Sequence, residues 1–327
     1  FEGVETESLP LPDRNGEIPE RGYLSKEMDT RESVILSTCE KLGVTPNILF
    51  TGLFGILMAK YSNAEDSLFS TIYNGRNDSR LENTVCMLVK TLPVYCKFDP
   101  KTTVQAYMAE LSEQMLSSMA NDIFPFSDIC AKYGLNSDLT FAYQAELSDD
   151  YPIGDTIARG HDLSPDMSKM PLLIQVREYD HKYVLTAEYR SDKYSKEFVK
   201  GILDAYEAAM DSMLKAKYIS EISILSGNAA DKIAEFNHTA HEYDRSQTIS
   251  DMFDEMVETI PDHTAVVFKD RKYTYKELDE ISDRLGKYIV SQGIGKEDVV
   301  SILIPRCEYM AIAPMGVIKA GAAYQPL

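Results

Sequence analysis

Residues 316–327 read Gly316-Val317-Ile318-Lys319-Ala320-Gly321-Ala322-Ala323-Tyr324-Gln325-Pro326-Leu327, and upstream of them stand Thr274-Tyr275-Lys276-Glu277-Leu278. Thr274 with Glu277 three positions on is a capping box, in which a hydroxyl and a carboxylate each satisfy a backbone N–H left open at a helix start. Leu278, Ile281, Leu285 and Ile289 follow at helical intervals and predict a buried stripe. Around that helix the pattern alternates: helix 249–260, strands 264–268 and 272–274, helix 275–292, strand 299–304, helix 308–319. Strands alternating with helices predict a doubly wound α/β sheet with parallel strands. Gly316 and Gly321 have the separation of two phosphate-loop glycines. Ala322 and Ala323, however, stand where such a loop needs lysine and a hydroxyl, so the stretch reads as helix and helix end.

Working back toward the start, residues 1–22 hold Pro10, Pro12, Pro19, Gly3, Gly16 and Gly22 among charges and read as a connector. From Asp29 to Leu42, the residues Val34, Ile35, Cys39 and Leu42 fall at helical spacing, with Gly43 as a stop. Thr45 as N-cap and Pro46 at the first helical position open a helix to about Tyr61. Its apolar run, Ile48 to Ala59, is too short to span a bilayer and predicts a buried helix. Strands are expected at 67–73, 93–98, 139–143, 172–177 and 183–190. Thr102 with Gln105 reads as a capping box for a helix bearing Val104, Tyr107, Met108, Leu111, Met115 and Met119, whose methionines read as core. A long helix is expected over 195–217. Past Leu225 the chain turns polar through His238 and His241 to Ser246. The predicted organisation is a connector at 1–22, a domain at 23–225, a linker at 226–248 and a second domain at 249–327.

A length of 327 residues fits two domains. The net charge of -19 argues against nucleic acid, whose phosphates are bound by neutralising Lys and Arg. Cys39, Cys86, Cys96, Cys130 and Cys307 show neither metal-like nor redox-like spacing, which points to a cytoplasmic protein without a disulfide framework. Cys86 and Cys96 read as small core residues, and His238 with His241 lack partners at zinc-ligand spacing. Asp149-Asp150 and Asp254-Glu255 read as solvated surface, and His161-Asp162 as a loop. The start at Phe1, with no targeting or membrane segment, is expected of a piece of a longer protein.

Two ordered motifs carry a resemblance. Thr274 to Leu278, then Asp283-Arg284-Leu285, then Gly293-Ile294-Gly295, resembles the LTYxELNxxANRLAxxL core motif of adenylation domains, and Val300 to Arg306 followed by Gly316 to Leu327 resembles their LKAGxAYxP motif. The motif residues are Thr274, Tyr275, Glu277, Leu278, Lys319, Ala320, Gly321, Tyr324 and Pro326. Upstream, Gly75-Arg76, Met87 to Pro93 (against GxFxNTLPxR), Pro125-Phe126 and Tyr189 to Phe198 resemble the C-terminal lobe of condensation domains, with their chloramphenicol acetyltransferase-like fold. Cys86 replaces the usual glycine and Lys90 the usual asparagine. Glu235 to Thr239 resembles the WNxT stretch before adenylation domains. The whole is similar to a nonribosomal peptide synthetase passing from condensation into adenylation.

That resemblance implies a parent that joins carrier-bound aminoacyl thioesters and activates an amino acid with ATP and Mg, working with peptidyl and aminoacyl carrier proteins and their phosphopantetheine. The family's HHxxxDG histidine pair is not in this sequence, so no catalytic residue is expected here, and no cofactor or metal on these residues. The missing condensation lobe and the rest of the adenylation domain are expected in cis. Met87, Thr91 and Gln144 are the candidates for lining the condensation channel. For the chain alone, a docking platform for carrier proteins is the competing expectation, and an acyltransferase or acyl-CoA ligase relative is a third.

Overall fold

The computed structural model describes residues 10–76, 79–81, 83–135, 138–145, 150–159, 166–168 and 170–327. The readings at His161-Asp162 and Asp149 lie outside them. The chain divides into two compact units, Phe1–Asn237 and His238–Leu327, with the boundary along the sequence inside the 226–248 segment.

In the first unit, β1 (Arg21–Glu27) leads into α1 (Glu32–Leu42) and α2 (Pro46–Ser62). There follow β2 (Asp66–Tyr73), β3 (Lys90–Lys97), α3 (Val104–Ala120), α4 (Phe126–Tyr133) and β4 (Leu139–Gln144). A small hairpin, β5 (Asp150–Ile153) with β6 (Thr156–Arg159), precedes β7 (Leu172–Tyr179), β8 (Lys182–Arg190), α5 (Lys196–Met213) and α6 (Gly227–Phe236). Six of these strands form a mixed sheet in the order β1-β8-β7-β4-β2-β3. β7, β4 and β2 run parallel, while the outer pairs are antiparallel.

The core is built on α2. Every residue from Ile48 to Ala59 is buried, as a helix apolar on all sides must be. Thr45 caps it by accepting from the Ile48 N–H. Its glycines admit the neighbouring elements: a Cβ on Gly52 would lie 2.6 Å from the Met108 sulfur, and one on Gly55 would lie 2.8 Å from the Cys96 sulfur. The Tyr107 hydroxyl donates to the Gly52 carbonyl at 2.9 Å and the Tyr206 hydroxyl to the Phe50 carbonyl at 2.8 Å. Two buried phenols thus find acceptors on the helix they pack against. Phe54 stacks on Phe141 at 4.8 Å and meets Phe69 edge-on at 5.0 Å, joining α2 to β4 and β2.

Several elements differ from the sequence reading. The expected connector ends at Gly22 and no strand is expected over 23–27, yet β1 starts at Arg21 and pairs along its length with β8. Thr103, not Thr102, caps α3, accepting from Ala106 at 3.2 Å. Thr102 is drawn into a turn, its N–H bonded to Asp99 and its carbonyl to Ile219. The 226–248 stretch, expected as a linker, contains the helix α6, which Ser226 caps. Cys96 is buried but Cys86 is exposed, because it lies in the irregular segment before β3 and not in the strand. No single helix among the described residues is long and apolar enough to cross a membrane.

The second unit runs α7 (Ile249–Thr259), β9 (Thr264–Phe268), β10 (Arg271–Thr274), α8 (Tyr275–Ser291), β11 (Val299–Ile302), α9 (Tyr309–Lys319) and β12 (Ala323–Pro326). β9 and β10 form a hairpin, and β11-α9-β12 is a parallel β-α-β unit, with Val300 opposite Tyr324 and Ile302 opposite Pro326. α8 and α9 cross where both carry glycine. A Cβ on Gly286 would meet the Gly316 carbonyl oxygen at 3.0 Å, and one on Gly316 would meet Leu285 at 2.7 Å.

Candidate functional site

A cleft of about 700 Å³ in the first unit opens beside β3. One side is β3 itself with Val89 to Leu92; the other is the segment Asp122 to Ser127 that joins α3 to α4. Ser70 and Met170 close the floor. The Ser70 and Thr140 hydroxyls are 2.8 Å apart, and Thr140 donates on to the Met170 sulfur at 3.0 Å, so both buried hydroxyls are satisfied. Lys90 holds the two sides together. Its ammonium donates to the Asp122 carbonyl at 3.0 Å and lies 2.9 Å from the Asp122 carboxylate. Ile123 and Phe124, which follow Asp122 on that wall, are 83% and 71% exposed, leaving an apolar wall with no cover among the described residues.

The loop leading into β3 is organised by Gly75 and Arg76. Gly75 has φ +69°, and a Cβ there would stand 2.1 Å from the Leu88 carbonyl oxygen, so only glycine lets the two strands of the loop pass. The Arg76 guanidinium donates to the carbonyls of Leu81 at 2.5 Å and Cys86 at 3.3 Å. Irregular backbone that lacks a ladder partner is thereby tied to one side chain.

Of the three channel candidates, Thr91 lines the cleft. Met87 is 85% exposed, two residues before Val89, which does line it. Gln144 ends β4 opposite Arg177, four residues beyond Thr140 and so roughly 13 Å along the strand. Ser70, Lys90, Asp122 and Met170 were missed. Buried polar Ser70 and Thr71 inside the apolar run of β2 were a readable signal, whereas the Lys90–Asp122 pair spans residues that no local pattern connects.

No nucleophile and base are paired among the described residues of the cleft. Burial pushes the Cys130 thiol up, which disfavours the reactive thiolate. No cluster of three metal-ligating side chains occurs among the described residues.

In the second unit the motif residues build scaffold. The Thr274 hydroxyl accepts from Glu277, and the Glu277 carboxylate accepts from the Thr274 N–H at 2.9 Å. The Tyr275 N–H donates to the His263 carbonyl, and Leu278 is buried. Lys319 pairs with Asp279 and with Asp283 at 2.8 Å. Ala320 is buried at the end of α9, Gly321 turns the chain at φ +80°, and Tyr324 and Pro326 belong to β12. The 316–321 stretch is helix and helix end, with its lysine engaged by two carboxylates, which does not fit a phosphate cradle.

Comparison with known proteins agrees with this division. Residues 4–234 match the condensation domain family model and residues 253–327 the AMP-binding enzyme model. Gramicidin S synthase 2 of Brevibacillus brevis is 28% identical over 296 residues, covering 87% of this chain. Tyrocidine synthase 2 of Brevibacillus parabrevis is 25% identical over 325 residues, covering 94%. The chain spans only 7% and 9% of those two proteins. The crystal structure of a holo four-domain nonribosomal peptide synthetase bound to AMP and glycine shares the fold, with TM-score 0.69 and 19% identity over 98% of this chain and 26% of that one. The first condensation domain of the CDA synthetase does so with TM-score 0.55 and 15% identity, over 67% of this chain and 50% of its own. This chain therefore belongs to the condensation domain family and, with the AMP-binding match that follows, is a condensation-to-adenylation segment of a nonribosomal peptide synthetase.

Proposed function

We propose that the first unit contributes one wall of the passage in which carrier-bound thioesters meet, within a synthetase that forms peptide bonds and activates an amino acid with ATP and Mg. The observation that carries this reading is the cleft beside β3. It unites Thr91, in the segment similar to GxFxNTLPxR, with Pro125-Phe126, which also resembles the condensation lobe. In peptide-bond formation an acceptor amine attacks the donor thioester carbonyl, the C–N bond forms, the C–S bond breaks and the thiol leaves with a proton. The residues of this cleft supply shape and polar anchoring for that step: Thr91 offers a hydroxyl, and Phe124, Phe126 and Met170 offer apolar contact. The proton-handling group belongs elsewhere in the synthetase.

The partners in this reading are peptidyl and aminoacyl carrier proteins bearing phosphopantetheine, and for the chain by itself it makes binding without turnover the expected behaviour. Met87 and Gln144 enter as the loop and strand-end positions flanking the cleft. Nuclear magnetic resonance titration of the chain with a non-hydrolysable aminoacyl-pantetheine amide tests this. Shifts at Ser70, Thr91 and Phe126 are expected, and shifts confined to other surfaces, or amide formation by the purified chain, would overturn the reading.

A further inference from the structure

Gln114 of α3 displays what the open edge of β3 binds. Its side-chain carbonyl accepts from the Tyr95 N–H at 3.2 Å, and its amide nitrogen donates to the Tyr95 carbonyl at 2.7 Å. One carboxamide therefore closes both outward backbone groups of a residue on an edge strand. Along an antiparallel strand, groups facing the partner alternate with groups facing away. Pro93 and Thr91 consequently share the outward orientation of Tyr95. Pro93 suits its place because it has no N–H to leave open. Thr91 keeps both groups, and no described residue bonds to them on that side. β3 is the edge of the sheet, and Thr91 lines the cleft whose opposite side is Asp122 to Ser127. A row of unpaired backbone groups is a template for an added strand.

We propose that the Thr91 main chain binds an extended peptide by strand addition, taking an N–H and a C=O of one ligand residue as the Gln114 amide is taken at Tyr95. The occupant is the peptidyl chain of the donor thioester, and only that identification rests on the function proposed above. Two observations select an apolar peptide over a charged ligand. Val89, Phe124, Phe126 and Met170 supply apolar lining. The charged pair at the cleft, Lys90 with Asp122, is internally neutralised. Recognition through backbone alone tolerates varied side chains, since every peptide residue except proline carries the same two groups.

The test uses the whole chain, isotope-labelled, titrated with acetyl-Val-Ala-Val methylamide and with the same peptide N-methylated at alanine. The expected result is saturable shifts at Thr91 and the cleft, slowed exchange of the Thr91 amide, and a roughly three- to tenfold weaker affinity for the N-methylated peptide. Thr91→Pro, which removes the N–H, should bind the peptide more weakly. Equal affinity for the two peptides, an unprotected Thr91 amide at saturation, or no shifts at millimolar peptide would overturn the proposal. If the aminoacyl-pantetheine amide still binds the cleft in that case, the passage function stands and strand addition alone fails.

Discussion

The Lys319 ammonium lies between two carboxylates of α8, bonded to Asp279 and 2.8 Å from Asp283, and 5.3 Å above the Phe253 ring. One side chain thus ties α9 to α8 and α7. Lys319→Met keeps the stem but leaves both carboxylates without their partner. A cost of about 1 kcal/mol is expected, because the aspartates are partly solvated. Hydrogen exchange of α8 and α9 amides should quicken while α2 amides stay unchanged; equal exchange in both proteins would contradict the clip.

The same clip has a pH signature. The hydrogen bond from Lys319 holds the Asp283 carboxyl below its usual range, against the opposing effect of burial. A carboxyl depressed in the folded state contributes stability above its unfolded pKa and loses it as pH falls through the folded value. Acidification from about pH 5 to about pH 3 should therefore weaken the second unit more in the wild type than in Lys319→Met. Parallel acid curves for the two would remove Asp283 from the account.

Close helix approach makes Gly316 intolerant of a larger residue. Gly316→Val drives branched carbons into Leu285, and overpacking of this kind costs about 1–3 kcal/mol. Urea unfolding followed at Tyr288 of α8 should shift to lower midpoint, and an unshifted transition would show that α8 and α9 do not meet at these glycines.

Gly75→Ala combines a left-handed backbone with a contact against the Leu88 carbonyl. A loss of about 1–3 kcal/mol is expected locally, seen as faster proteolysis between residues 79 and 89 with little change in the global transition. Wild-type proteolysis rates would argue that the loop does not pass Gly75 as described.

Phe54→Ala removes a ring packed on Phe69 and Phe141 at the centre of the first unit. It should cost about 3–5 kcal/mol, measured as a fall in the denaturation midpoint of the first unit. A cost below about 1 kcal/mol would mean that α2 is not the core helix.

The sequence made elements with strong local chemistry legible. Thr45 and Pro46 announced α2, Thr274 and Glu277 announced α8, and Leu172, Ile174 and Val176 announced β7. What escaped was set at long range. β1 owes its strand to β8, more than 150 residues on. The cleft escaped in the same way: Thr91 was legible through its motif, but Asp122 and Met170 reach it only after β3, α3 and β4 have folded together. Thr102 was misread because two threonines adjoin, and only the Asp99 turn decides which one caps.

The central claim is tested most directly in a synthetase module that contains this segment, with Thr91→Trp filling the cleft. Amide formation should fall at least roughly tenfold while amino-acid-dependent ATP–pyrophosphate exchange continues at the wild-type rate. Unchanged amide formation with the cleft filled would contradict the assignment of this cleft to the condensation passage.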